Sequence, residues 1–150
     1  MSGTRLHTAS FSLPKGTRLN GIYEIDIFLA SGGMGDIYKG HSIETGDTVA
    51  IKVMRQELAE NAAALALFRK EASALHHLYH GAIVRYFVFT VEPELQRPYL
   101  AMEFVEGEPL STILKNGPLS FEAVWDLKKR LAEGLQAAHE LGIIQRRFAG

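Results

Sequence analysis

Leu29-Ala30-Ser31-Gly32-Gly33-Met34-Gly35-Asp36-Ile37-Tyr38-Lys39-Gly40, followed after a turn by Val49-Ala50-Ile51-Lys52, decides how this chain is read. Upstream, Tyr23, Ile25, Ile27 and Leu29 alternate with Glu24, Asp26 and Phe28, the period-2 pattern of a strand. A second run starts at Ile37, Glu44-Thr45-Gly46-Asp47 supplies turn chemistry, and Thr48 to Met54 is a β-branched third run. The glycines therefore join two antiparallel strands, at a tip with almost no side-chain bulk. Backbone amides at such a tip can approach a phosphate closely, because no Cβ stands in the way. Hairpins also use glycines to reach φ > 0, and the cluster alone leaves both readings open.

The lysine adds a second signal. No Gly-Lys-Ser/Thr follows the glycines, so this is not a phosphate loop that opens a helix. Lys52 instead lies within an apolar strand, sharing a face with Ala50 and Met54 while Val49, Ile51 and Val53 take the other. A lysine so placed is costly to desolvate unless an anion meets it. From Glu57 to Leu78, Leu65, Phe68, Ala72, Leu75 and Leu78 recur at helical spacing, with Glu71 beside that stripe. Two awkward charges, Lys52 and Glu71, are each other's natural remedy.

These residues carry a resemblance. Gly32-x-x-Gly35-x-Ile37, Val49-Ala50-Ile51-Lys52 and helical Glu71 resemble the eukaryotic-like Ser/Thr protein kinases in their bacterial form. His80-Gly81-Ala82-Ile83-Val84-Arg85 is similar to the family's turn into its fourth strand. Tyr99 to Gly107 is similar to its fifth strand and hinge, and Ala138 to Ile144 to the end of the helix before its catalytic loop. The likeness runs from about Leu13 to Ile144.

The resemblance implies an α+β architecture: a kinase-like N-lobe of five antiparallel strands and one helix, followed by the first helices of an incomplete C-lobe. Residues 1–12 are expected to be a mobile tail, 13–105 the lobe, and 106–150 the hinge with a partial helical lobe. Ile83 to Thr90 and Tyr99 to Phe104 would be the fourth and fifth strands. Glu108-Pro109 would start a short helix with Leu110, Ile113 and Leu114 facing inward. Ser120 would cap a long helix carrying Val124, Leu127, Leu131, Leu135 and Ala138 and ending at Gly142. Lys128-Lys129-Arg130 reads as a solvated face.

By the same resemblance, ATP would be the cofactor. Leu29, Ile37 and Ala50 would line its adenine slot, Met102 would close the back, and the backbone of Glu103 and Val105 would face the adenine edge. Gly32, Gly33 and Gly35 would cover the phosphates, with Lys52 paired to them and to Glu71. Ala30 stands where the family has its first loop glycine, a modest departure. Gln145-Arg146-Arg147-Phe148 stands where the family has His-Arg-Asp-Leu, so Arg147 occupies the catalytic aspartate position. A guanidinium cannot accept a hydroxyl proton. Neither the catalytic-loop asparagine nor Asp-Phe-Gly appears before Gly150, so the Mg²⁺ ligands are absent from these residues. The expectation is weak ATP binding without phosphoryl transfer. The alternatives are a pseudokinase-like module that docks on another protein through the exposed face of helix 120–141, or the product of a disrupted kinase reading frame.

Composition narrows the rest. Among 150 residues the formal charge is −1, which gives no reason to expect nucleic acid or an anionic membrane as partner. There is no cysteine, no apolar run of membrane-spanning length and no signal-peptide core, so a cytoplasmic location is expected. His76 and His80 have a helical i, i+4 spacing but no acidic or cysteine partner to suggest a metal.

Overall fold

The computed structural model describes residues 12–143, apart from the side chain of Glu71. A six-stranded antiparallel sheet is built from β1 (Arg18–Leu19), β2 (Tyr23–Ser31), β3 (Gly35–Ser42), β4 (Thr48–Met54), β5 (Tyr86–Glu92) and β6 (Arg97–Glu103). Their spatial order is β1-β2-β3-β4-β6-β5. Five long strands are those the sequence outlines. The sixth, β1, is a two-residue pairing of Arg18 and Leu19 with Glu24 and Tyr23, ahead of the first strand outlined in the sequence.

Cross-strand register divides the sheet into two faces. Tyr38, Ile51 and Ala101 align on one, and Asp36, Val53 and Tyr99 follow them along it. With Leu19, Tyr23, Ile25 and Val49 these side chains, Asp36 apart, make the larger apolar core, against which Leu13 and Leu95 also pack. The Leu13 amide donates to the Tyr38 hydroxyl at 2.9 Å, which fixes the lead-in over this face. The opposite face carries Met54 and Leu100 against Phe68 and Ala72 of a helix. That helix, α2 (Ala62–His76), follows a short α1 (Gln56–Ala59).

Several outcomes depart from the pattern read in the sequence. The single helix expected from Glu57 to Leu78 is broken at Asn61, whose side chain accepts from the Ala64 amide and caps α2. The period-2 stripe of β2 ends at Ile25. Register shifts after Ile25 and after Phe28 place extra residues in the strand, and Ile27 and Leu29 emerge 57% and 46% exposed. The fourth strand starts at Tyr86 rather than Ile83. Ile83 closes a turn onto the His80 carbonyl, and it faces α4 (Phe121–Glu140), where Gly134 lets the loop approach closely.

The second helical segment matches in outline. Ser120 accepts from the Ala123 amide to cap α4, and Gly142, at φ +73°, ends it as its amide bonds back to His139. The short α3 (Leu110–Leu114) forms where expected, but Leu110, Ile113 and Leu114 are exposed rather than inward.

Tyr99 lies wholly inside the larger core, edge-on to Tyr23 at 6.4 Å. Among the described residues its hydroxyl has no hydrogen-bond partner. Burial first, then the nearby Tyr23 and Glu92, push its pKa from 10.0 up to about 12. The folded state holds this proton more tightly than the unfolded chain does. Its contribution is therefore complete below pH 10 and lost as pH rises toward about 12. Tyr99→Phe removes an unsatisfied hydroxyl, so it is expected to be neutral or stabilising by about 1 kcal/mol at neutral pH. Urea titrations between pH 8 and 11 should also show it losing less stability than wild type. A clear loss at pH 7 would mean that the hydroxyl has a partner.

Candidate functional site

The face that packs on α2 also carries the residues singled out at the glycine hairpin. Ile37 on β3, Lys52 on β4 and Leu100 on β6 align directly across the sheet. The next row reads Ile27, Lys39, Ala50 and Met102. Lys52 therefore shares its face with Ala50 and Met54, and Ile37, Ala50, Lys52 and Met102 are all half-buried there. Leu29 emerges at the β2 end of this surface because of its bulge. Glu103 and Val105 lie at and beyond the end of β6, both exposed. The Glu103 amide is used on the Arg85 carbonyl, and its carboxylate accepts from the Arg85 amide. Beyond it, Lys39 lies over the Phe104 ring at 4.7 Å and braces the outgoing segment against β3.

The three glycines differ in what they do. A Cβ on Gly33 would meet nothing within 4 Å, and one on Gly32 would meet only the Gly35 carbonyl at 3.6 Å. These two are exposed and form an open tip, with the Gly32 amide bonded to the Gly35 carbonyl at 2.9 Å. The absence of any side chain leaves the backbone of this tip sterically open, although the Gly32 amide is already used within the turn. Gly35 is buried, and a Cβ there would overlap the Val53 carbonyl. Its missing side chain serves the close approach of β3 to β4. None of the three has positive φ, so the turn-conformation reading of these glycines does not apply.

Glu71 lies in α2 one residue before Ala72, which is buried against Met54 and Leu100. Its side chain is outside the described residues, as are Gln145, Arg146 and Arg147. The two histidines at metal-like spacing do not share a helix, since α2 ends at His76 and His80 accepts the Ala82 amide at its Nδ1. Among the described residues no group of three or more His, Asp or Glu could hold a metal ion. No helix among them is long and apolar enough to cross a membrane.

One residue the sequence did not single out stands at this end of the sheet. Asp36 is 2% exposed and accepts from the Ser31 hydroxyl at 2.6 Å. The Tyr38 hydroxyl nearby is raised above its ordinary pKa by burial, lowered by the Leu13 amide, and influenced in opposite senses by Asp36 and Arg97. An acid beside a glycine turn reads as solvated in a linear sequence, and only the register exposes its burial.

A curled antiparallel sheet, one helix across its strand-lysine face, and an extended exit into further helices define a protein-kinase small lobe. The chain belongs to that family: the protein kinase domain profile matches residues 23–147. It is 39% identical over 133 residues to the serine/threonine-protein kinase pkn2 of Myxococcus xanthus, covering 89% of this chain and 16% of that protein. With PknA of Mycobacterium tuberculosis it shares 33% identity over 135 residues, covering 87% of this chain and 31% of the relative. The chain thus spans less than a third of these relatives. Its fold matches the PknI kinase domain of Mycobacterium tuberculosis with a TM-score of 0.76 at 21% identity, over 91% of this chain and 55% of that one.

Proposed function

We propose that this chain is the ATP-binding lobe of a bacterial-type Ser/Thr protein kinase, and that these 150 residues bind nucleotide weakly without transferring phosphate. The observation that carries the reading is Lys52, half-buried directly across from Ile37 on the face beside the open Gly32–Gly33 tip. In this reading the base lies against Leu29, Ile37, Ala50 and Met102, with the backbone of Glu103 and Val105 at its edge. Gly32 and Gly33 cover the phosphates, Gly35 holds the hairpin to β4, and Lys52 bridges the phosphates to Glu71. ATP would supply the transferable phosphoryl group. Lys52 contributes charge, the Gly33 amide contributes a donor, and the sheet face excludes water from one side of the base. The partner of this lobe is the nucleotide, and its setting the cytoplasm.

The inactivity follows from Arg147, which presents a cation where a base is needed and which repels Mg²⁺. Incubation of the purified chain with γ-labelled ATP and Mg²⁺ should label neither itself nor a generic protein substrate. Titration calorimetry should give a Kd of roughly high micromolar to millimolar, nearly indifferent to Mg²⁺. Tight, Mg²⁺-dependent binding, or labelling that disappears in Lys52→Met, overturns this reading.

A second reading, a module that docks on another protein, is favoured by one observation. Phe121, Val124, Trp125, Leu131 and Leu135 all emerge on α4, Phe121 at 84% exposure, making an apolar surface.

A further inference from the structure

The glycine turn is tied down by side chains that the nucleotide reading leaves unused. Ser31 ends β2 and Asp36 lies second in β3; they are direct cross-strand partners immediately before the tip. The Ser31 hydroxyl donates to Asp36 Oδ1 at 2.6 Å, a distance typical of a charge-assisted bond. Behind them, Arg55 Nη2 donates to Ser31 Oγ at 3.3 Å, and the Arg55 amide donates to the Met34 carbonyl at 3.1 Å. Met34 itself packs against the cluster of Met54, Phe68, Ala72 and Leu100. A carboxyl group as buried as Asp36 costs stability unless its partners hold it, so this arrangement has a purpose to explain.

Strand alternation puts Asp36 on the face of Tyr38 and Val53, opposite that of Lys52. It cannot be a phosphate ligand from there. What it can do is fix the turn. A tip of two unobstructed glycines is conformationally free, and a ligand that uses its amides must bear the cost of ordering it. Ser31, Asp36 and Arg55 remove that cost before the ligand arrives. Arg55 also follows Lys52 by three residues, so the tip amides and the strand lysine are held in one frame.

We infer that Ser31, Asp36 and Arg55 form a clasp that presets the Gly32–Gly33 turn for nucleotide phosphates, with Asp36 as its positioning residue. The inference rests on the nucleotide-binding reading above. It predicts a defect specific to phosphates, which a general loss of structure would not produce.

The test compares ATP with adenosine, by ligand line broadening, on the 150-residue wild type, Ser31→Ala, Asp36→Asn and Ser31→Thr. Ser31→Ala and Asp36→Asn should each lose about tenfold in ATP affinity while adenosine binding stays the same. Ser31→Thr, which restores the hydroxyl, should bind ATP as wild type does. In the nucleotide-free protein the amides of Gly32 and Arg55, which donate to the Gly35 and Met34 carbonyls, should exchange faster in the two defective variants. Ser31→Ala acts from the exposed side of the clasp, so it remains informative if Asp36→Asn does not fold. Equal losses of ATP and adenosine, or no loss of either, overturn the clasp while leaving the nucleotide site standing. A wild type that binds no ATP overturns the nucleotide reading itself, and the clasp's role with it.

Discussion

Gly35→Ala is expected to lower the melting temperature of this chain by about 10 °C or more, while Gly33→Ala leaves it unchanged. The added Cβ at Gly35 would overlap the Val53 carbonyl and stand 3.1 Å from the Met54 Cα. Both obstacles are backbone, so no rotamer change relieves them. The relief available is to move β3 away from β4, at the point where Val53 enters one core and Met54 the other. Overpacking of this kind costs about 3 kcal/mol or more, a large part of the roughly 5–15 kcal/mol that holds a domain together. At Gly33 there is open space, so an alanine methyl goes into solvent. Thermal scans by circular dichroism read both. If Gly35→Ala melted within a few degrees of wild type, the tight contact between β3 and β4 would have to be looser than it is here.

That contrast shows where a sequence is informative. A glycine-rich stretch between two strands announces a hairpin tip, and the tip is where Gly32 and Gly33 lie. It does not say which glycine answers to a ligand and which to a neighbouring strand, because Val53 is 18 residues from Gly35 and only the register brings them together. The split of faces around Lys52 was legible because strand alternation depends on local geometry alone. The stripe of β2 failed beyond Ile25 for the complementary reason: a bulge inserts one residue and reverses the parity of everything after it, without any composition signal. Asn61 was a missed cap, readable in hindsight as an Asn before an alanine-rich run. Ile83 and Val84 looked like strand residues because they are apolar, yet Ile83 is half-buried because it meets α4, about a third of the chain away. The buried Asp36 left no trace in the sequence at all. The family resemblance, by contrast, rested on several ordered motifs, and these survive local errors of one or two residues.

Lys52→Ala is expected to lower ATP affinity by one to two orders of magnitude, corresponding to about 1.5–3 kcal/mol for a charge-assisted contact. Adenosine, which offers no phosphate, should bind the variant as it binds wild type. This selectivity matters, since Lys52 sits in line with Ile37 and Leu100 on a sheet face and a truncation there could act through packing alone. Its second effect depends on Glu71. If the two are paired, removing the lysine strands a carboxylate beside an apolar helix face, and the variant loses stability as well as affinity. Glu71→Gln added to Lys52→Ala should then return most of the stability but none of the ATP binding. The two readouts separate a structural ion pair from a phosphate contact: denaturant midpoints report the first, and ATP against adenosine reports the second. Should Lys52→Ala bind ATP as wild type does, the phosphates do not reach this strand. The Gly32–Gly33 tip would then be a bare hairpin, and the apolar surface of α4 would be the better place to look for what this chain does.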